Sequence, residues 1–247
     1  MSDEAQPSLG RRVVAEGVGT SLLLSTVVGS GIMGERLSGG NAGLALLANT
    51  LATGAALVSL ILTFGPISGA HFNPAVTLAA AWERGLSWQD VPRYIAAQLA
   101  GAVAGVLAAH IMFGLSPFGL SQHVRAGSAQ MFSEFVATFG LVSVIWGCSR
   151  LRSSAAVAVS VGAYITAAYW FTASTSFANP AVTVARSLSD TFSGIRPMDV
   201  PGFIIAQLLG AASATLLFRW LVPALPGLAP RVLAHHLESV PERGERA

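Results

Sequence analysis

The sequence predicts an all-α membrane protein of six transmembrane helices plus two re-entrant half-helices, arranged in two inverted repeats. Three observations carry that expectation. Charged residues make up only 11% of the chain's 247 residues, and hydrophobic residues 53%, whereas an average soluble domain is about 25% charged. Six apolar stretches reach, or nearly reach, the length needed to cross a bilayer. The second half of the chain also repeats motifs of the first.

Composition excludes several classes at once. Disorder, a collagen-like rod and a disulfide scaffold do not fit. The single Cys148 forbids an internal disulfide or a cysteine-based metal cluster, and reads as a small buried hydrophobe. The net charge is +2, and all 14 basic residues are arginines scattered along the chain, which gives no nucleic-acid surface. There is no nucleotide, metal or catalytic signature, so no enzyme activity, cofactor or metal is expected.

A transmembrane helix needs about 20 apolar residues to cross about 30 Å of hydrocarbon. The six stretches are Val13–Ile32, Gly43–Phe64, Tyr94–Phe113, Met131–Cys148, Ala155–Phe171 and Val200–Phe218. None contains Arg or Asp, and only two contain Glu. The first is followed by Glu35 and Arg36 without a small-residue cleavage site, so it reads as a span and not as a cleaved leader. Placing the N-terminus inside puts nine arginines in inner loops and tails, against Arg36, Arg125, Arg186 and Arg196 outside. That satisfies the positive-inside bias and predicts two cytoplasmic termini in the cell inner (plasma) membrane. Trp88, Trp146, Trp170 and Trp220 fall near span ends, as interfacial aromatics do. Residues 1–10 read as a cytoplasmic N-terminal tail, 11–222 as one channel-like domain, and 223–247 as a cytoplasmic C-terminal tail.

Three motif pairs recur in the same order. Ser68-Gly-Ala-His-Phe-Asn73-Pro-Ala-Val-Thr matches Ser174-Thr-Ser-Phe-Ala-Asn179-Pro-Ala-Val-Thr at an offset of 106 residues. Ala97-Gln98-Leu-Ala-Gly101 matches Ala206-Gln207-Leu-Leu-Gly210 at 109, and Glu16-Gly-Val-Gly-Thr20 matches Glu134-Phe-Val-Ala-Thr138 at 118. Three matches in order indicate duplication, with repeat one at 11–113 and repeat two at 130–222. Each repeat holds three spans, an odd number, so the second starts on the opposite side of the membrane. Within each, a nine-residue apolar segment begins at the Pro of Asn-Pro-Ala (Pro74–Trp82 and Pro180–Leu188), too short to span. Asn is a good N-cap and Pro suits the first helical position. Each segment therefore reads as a half-helix starting at membrane depth, where non-helical backbone is tolerated only against protein or a water-filled path.

These paired Asn-Pro-Ala motifs, the Ser-Gly-Ala-His-Phe-Asn-Pro-Ala-Val-Thr string and the paired Glu-x-x-x-Thr segments resemble the aquaporin and aquaglyceroporin (major intrinsic protein) family over residues 10–222. The resemblance implies an aquaporin-like fold, one pore per protomer, and assembly as a homotetramer. It places Asn73, Pro74, Ala75, Asn179, Pro180 and Ala181 at the pore centre, with His71 and Phe177 lining the path. The carbonyls of Gly69, Ala70, His71, Thr175, Ser176 and Phe177 would form an acceptor ladder. Two helix N-termini, each carrying about half a positive charge, would repel cations there. Glu16 and Glu134 are intramembrane carboxylates, which are costly and usually functional. Their symmetry-related places favour a loop-supporting role, as acceptors for loop N–H groups, over proton coupling.

The chain departs from the family pattern at the outer constriction. Most members have Arg directly after the second Asn-Pro-Ala; here the residue is Val182. Family spacing places the other constriction positions at Thr53, Ala167 and Ser176, so the expected filter is wide, weakly polar and uncharged. Arg186, one turn beyond Val182, either screens the outer vestibule in place of the missing Arg or pairs with Asp190. The missing Arg resembles bacterial members associated with arsenic resistance. The expected function is a passive channel for small neutral solutes in a lipid bilayer: water plus glycerol, urea or metalloid acids such as arsenite. The alternative is an ion-coupled secondary transporter built on inverted repeats.

Overall fold

The computed structural model describes residues 7–149 and 153–222. Its described residues form eight α-helices: α1 (Leu9–Leu37), α2 (Ala42–Ser68), α3 (Pro74–Trp82), α4 (Val91–Met112), α5 (Ser128–Cys148), α6 (Ser154–Phe171), α7 (Pro180–Arg186) and α8 (Val200–Leu221). Five of them are long and apolar enough to cross a membrane. The remaining long helix, α6, has 18 residues, a rise of about 27 Å. The short α3 and α7 are the two half-helices. The expected C-terminal tail from residue 223 onward, and the inner Arg150 and Arg152, lie outside the described residues.

Large side chains such as Leu22, Leu51, Ile205 and Leu209 are exposed on the outer faces, while the interior combines Val, Leu, Ile and aromatic side chains with many buried Ala, Gly, Thr and amide positions. Lipid offers an apolar side chain nothing that a neighbouring helix does not, so association relies on close backbone approach and interhelical hydrogen bonds. Helix α1 packs on α4 and, in the second half, α5 packs on α8 in the equivalent way. Both crossings rest on glycine. A Cβ at Gly101 would lie 2.1 Å from the Gly17 carbonyl oxygen, and one at Gly210 would lie 2.5 Å from that of Phe135. These glycines belong to the recurring Ala-Gln-Leu-x-Gly motif, and both occurrences of the motif make the same kind of close contact.

One aromatic expected at the interface lies elsewhere. Trp88, Trp170 and Trp220 are exposed, but Trp146 is buried in the core and donates its indole N–H to Thr215 Oγ1 at 3.2 Å. It sits on the α5 face turned toward α8, not toward lipid. His110, for which the sequence suggests no role, links the α4 end to the loops that follow α4 and α7: its Nδ1 is 2.8 Å from the Ser116 carbonyl and its Nε2 2.8 Å from Ser189 Oγ.

Gly101→Ala and Gly210→Ala should each destabilise the protein by about 1–3 kcal/mol, because the atoms met by the new methyl are backbone and cannot rotate away. Gly119→Ala, whose Cβ meets nothing within 4 Å, should leave thermal unfolding in detergent unchanged. Equal melting temperatures for all three variants would remove the close-crossing argument.

Candidate functional site: a pore closed around two half-helix ends

Helices α3 and α7 begin the same way. Asn73 and Asn179 are N-caps in extended conformation, at φ −154°, ψ 117° and φ −158°, ψ 115°. The Asn73 side-chain oxygen accepts from Ala75 N at 2.9 Å, and that of Asn179 from Ala181 N at 2.9 Å and Val182 N at 3.3 Å. Each amide nitrogen reaches across to the other loop: Asn73 Nδ2 donates to the Ala178 carbonyl and Asn179 Nδ2 to the Phe72 carbonyl, both at 2.8 Å. The N-termini of the two half-helices are thereby tied together. An amide has two hydrogens, so one per Asn is spent on this tie and the second remains for the cavity, which both residues line.

The loops feeding the half-helices are held by the two buried glutamates. Glu16 Oε1 accepts from His71 N at 2.9 Å and Ser68 Oγ at 2.7 Å, while Oε2 accepts from Phe72 N at 2.7 Å and Gln98 Nε2 at 2.8 Å. Glu134 accepts from Phe177 N and Ala178 N at 2.8 Å each and from Gln207 Nε2 at 2.6 Å. Each glutamine also donates to a half-helix threonine, Gln98 to Thr77 at 2.9 Å and Gln207 to Thr183 at 2.8 Å. The loops need such support. Ala70, Phe72, Thr175, Ser176 and Ala178 all have positive φ without being glycine, which costs of order 1–3 kcal/mol each. The two carboxylates are thus occupied by N–H and O–H donors and are absent from the cavity wall. For Gln98 and Gln207, recurrence in the repeat is the one sequence signal of this role; hydropathy alone does not reveal it.

One cavity runs past both caps. Its walls include Leu23, Val27, Leu57 and Ile61 from the first half and Leu141, Ile145, Val161 and Ile165 from the second. Polar groups enter it from His71, Asn73, Ser176, Asn179, Thr53 and Tyr169. Gly69, Ala70, His71, Ser176 and Phe177 of the expected carbonyl ladder line it; Thr175 does not. The His71 ring meets Thr77 Oγ1 through Nδ1 at 3.1 Å, which leaves Nε2 buried without a partner among the described residues.

The end of the cavity lined by Val182 and Arg186 differs from the sequence expectation in two ways. Thr53, Ser176 and Val182 line the cavity, but Ala167 is exposed on the opposite side of α6. The inward face of α6 is the four-residue series Val157, Val161, Ile165 and Tyr169. A step of two residues from Tyr169 or Ile165 turns about 200° around a helix, so Ala167 points away. Tyr169 takes that place and donates its hydroxyl to Thr53 Oγ1 at 3.3 Å. Counting back from the second Asn-Pro-Ala fails because the count runs through the non-helical link between Phe171 and Asn179. The helical series alone finds Tyr169. The second difference is Arg186. It is 2% exposed and lines the cavity, and Nε donates to the Ser193 carbonyl. Its guanidinium carbon lies 3.4 Å from the Phe177 ring centroid. Asp190 instead accepts from Gln122 N at 2.9 Å, and among the described residues it makes no ion pair with Arg186. The outer pore therefore carries a cation and a phenol, and the expectation of an uncharged filter of small residues is corrected. Arg125, from the loop before α5, has no sequence signal. It packs its guanidinium carbon 5.0 Å from the same ring and donates to the carbonyls of Gly194 at 2.8 Å and Ser174 at 3.1 Å. Nearby, burial and then the charges of Arg125 and Arg186 hold His123 below the usual histidine pKa.

Half-helices meeting end to end inside a six-span bundle, with one continuous wall past the junction, define a membrane channel. The chain matches the major intrinsic protein family over residues 4–153 and 148–242, and it belongs to that family. It is 58% identical over 219 residues to aquaglyceroporin AqpS of Rhizobium meliloti (strain 1021), covering 88% of this chain and 93% of that protein. It is 33% identical to aquaporin NIP2-3 of Zea mays over 204 residues, covering 79% of this chain and 66% of that one. In fold it resembles the aquaglyceroporin from Plasmodium falciparum, with a TM-score of 0.73 at 20% identity, over 88% of this chain and 99% of the other. The protein is a passive transmembrane channel for small neutral solutes and not an enzyme.

Glu134→Gln and Glu16→Gln each replace one acceptor oxygen by a donor that faces buried N–H groups. Hydrogen bonds to a charged group contribute about 1.5–3 kcal/mol each. Both variants should therefore unfold at a clearly lower temperature in detergent, and both should lose flux of every solute together. Wild-type stability with selective loss of pH-dependent flux would instead mark a carboxylate as a proton carrier.

Proposed function

We propose that residues 11–222 form a pore for water plus glycerol, urea or neutral metalloid acids such as arsenite. The reading extends to a homotetramer in the cell inner membrane with both termini cytoplasmic. The observation that carries it is the composition of the cavity wall: apolar side chains along most of the path, a few hydroxyl, imidazole and amide groups, and no carboxylate among the described residues. A neutral solute with a carbon face and an oxygen edge matches such a wall. A cation meets two helix N-termini, each worth about half a positive charge, and the guanidinium of Arg186.

Support for solutes larger than water comes from Val182. The cavity there is bounded by an isopropyl group and not by a charged one, although Tyr169 and Arg186 occupy part of the space that small residues would have left open. The kinship with a protein named an aquaglyceroporin favours glycerol within this set. Asn73 and Asn179 centre the path, and Thr53, Ser176 and Val182, joined by Tyr169, set its outer selectivity.

Two outcomes test the proposal. Val182→Arg adds a bulky, permanently charged fork to the outer wall, so the ratio of glycerol to water permeability in proteoliposomes should fall by about tenfold or more. Thr53→Phe should shift the ratio in the same direction. An unchanged ratio in both would show that selectivity is set elsewhere. Planar-bilayer recordings of the parent should show no sustained cation or proton current, and a steady conductance would contradict the passive neutral pore.

A further inference from the structure

Arg186 is the one charged residue in the cavity wall among the described residues, and its bonding is incomplete. Nε is engaged by the Ser193 carbonyl, and the guanidinium carbon lies over the Phe177 ring at 3.4 Å. NH1 is buried and has no hydrogen-bond partner among the described residues; the same is true of Ser176 Oγ, which lines the same cavity. Buried polar atoms are nearly always paired, and an orphan calls for an explanation. Both orphans, a charged donor and a hydroxyl, belong to residues that line the same cavity.

The local architecture holds this donor in place. Helix α7 ends at Arg186, so the chain turns away and Asp190 is not carried round to neutralise it. Arg125 lies against Phe177 at 5.0 Å and is anchored through Gly194 and Ser174. The ring on which Arg186 rests is therefore braced by a second guanidinium.

We propose that Arg186 is a specificity-determining residue of this pore, its NH1 group and the Ser176 hydroxyl forming a polar subsite that takes an oxygen of a hydroxyl- or carbonyl-bearing neutral solute one helical turn outside Val182. The need for such a subsite is energetic. A polyol entering a wall made of Val182, Phe177 and aliphatic side chains gives up hydrogen bonds to water, and an unpaired hydroxyl in apolar surroundings costs free energy. Glycerol has three hydroxyls to strip, so it depends on the donor more than water does. This inference rests on the reading of the chain as a pore for solutes larger than water.

The test uses full-length parent, Arg186→Leu and Arg186→Lys in proteoliposomes with matched protein content, with glycerol and water permeability measured on the same vesicles. The glycerol-to-water ratio should fall by about tenfold in Arg186→Leu, the effect of losing a charged donor, while water permeability holds or rises. In Arg186→Lys the single ammonium can serve the Ser193 carbonyl or the pore but lacks the fork for both, so the ratio should fall by an intermediate factor of about three. If Arg186→Leu does not insert, the lysine variant carries the test. Glycerol and water permeability falling together, or an unchanged ratio in every variant that inserts, would make Arg186 a structural brace and overturn the proposal. A parent that passes water but neither glycerol nor urea would overturn the underlying solute-pore reading instead, and is recognised before any variant is measured.

Discussion

Everything in the pore depends on two buried carboxylates accepting backbone N–H groups from loops that have no secondary structure of their own. Glu16 and Glu134 each take two consecutive loop amides, His71 and Phe72 in one case and Phe177 and Ala178 in the other. Without them those amides would lie unpaired at membrane depth, where each orphan is costly, and the left-handed residues between them would relax. With them the loops are fixed, the asparagines cap their half-helices, and the two N-termini can be tied face to face. The charges that look most like transport machinery are thus consumed by architecture, and the path they support is left without a titratable carboxylate among the described residues.

That division of labour explains why so much is legible in the sequence. The elements that recur, Glu16 with Glu134, Asn73 with Asn179 and Gly101 with Gly210, each carry one half of a symmetric contact. Duplication writes the same physical requirement twice. Span positions are legible because a bilayer demands a length, and the helices run a few residues beyond the apolar cores, as with α1 starting at Leu9 and α2 continuing through Pro66 to Ser68. What is not legible is what symmetry and hydropathy do not control. Trp146 sits near a span end in sequence, yet it faces α8; only the packing partner decides that. Ala167 is reached by counting across an irregular link, whereas Tyr169 follows from the helical face.

Both effects meet at the outer pore. Val182 departs from the usual family pattern in sequence, and that departure alone suggests an open, uncharged filter. The fold refills part of the space from two directions, with the Tyr169 phenol from α6 and the Arg186 guanidinium from the end of α7. A single substitution in a motif therefore says which group is missing from one position. It does not say what the neighbouring turns bring in. A guanidinium lines the cavity from the end of α7, resting on Phe177 and not standing next to Asn-Pro-Ala.

The central claim is that this structure is a static path and not a carrier, and downhill uptake measured against an imposed gradient tests it most directly. Proteoliposomes holding the full chain are given external glycerol with and without a proton gradient across the membrane, and internal glycerol is followed to steady state. A static path predicts equilibration to the external concentration and no further, with the same endpoint and rate whichever way the proton gradient points. Accumulation above the external concentration, or an endpoint that follows the gradient, would contradict it and return the two glutamates to a coupling role.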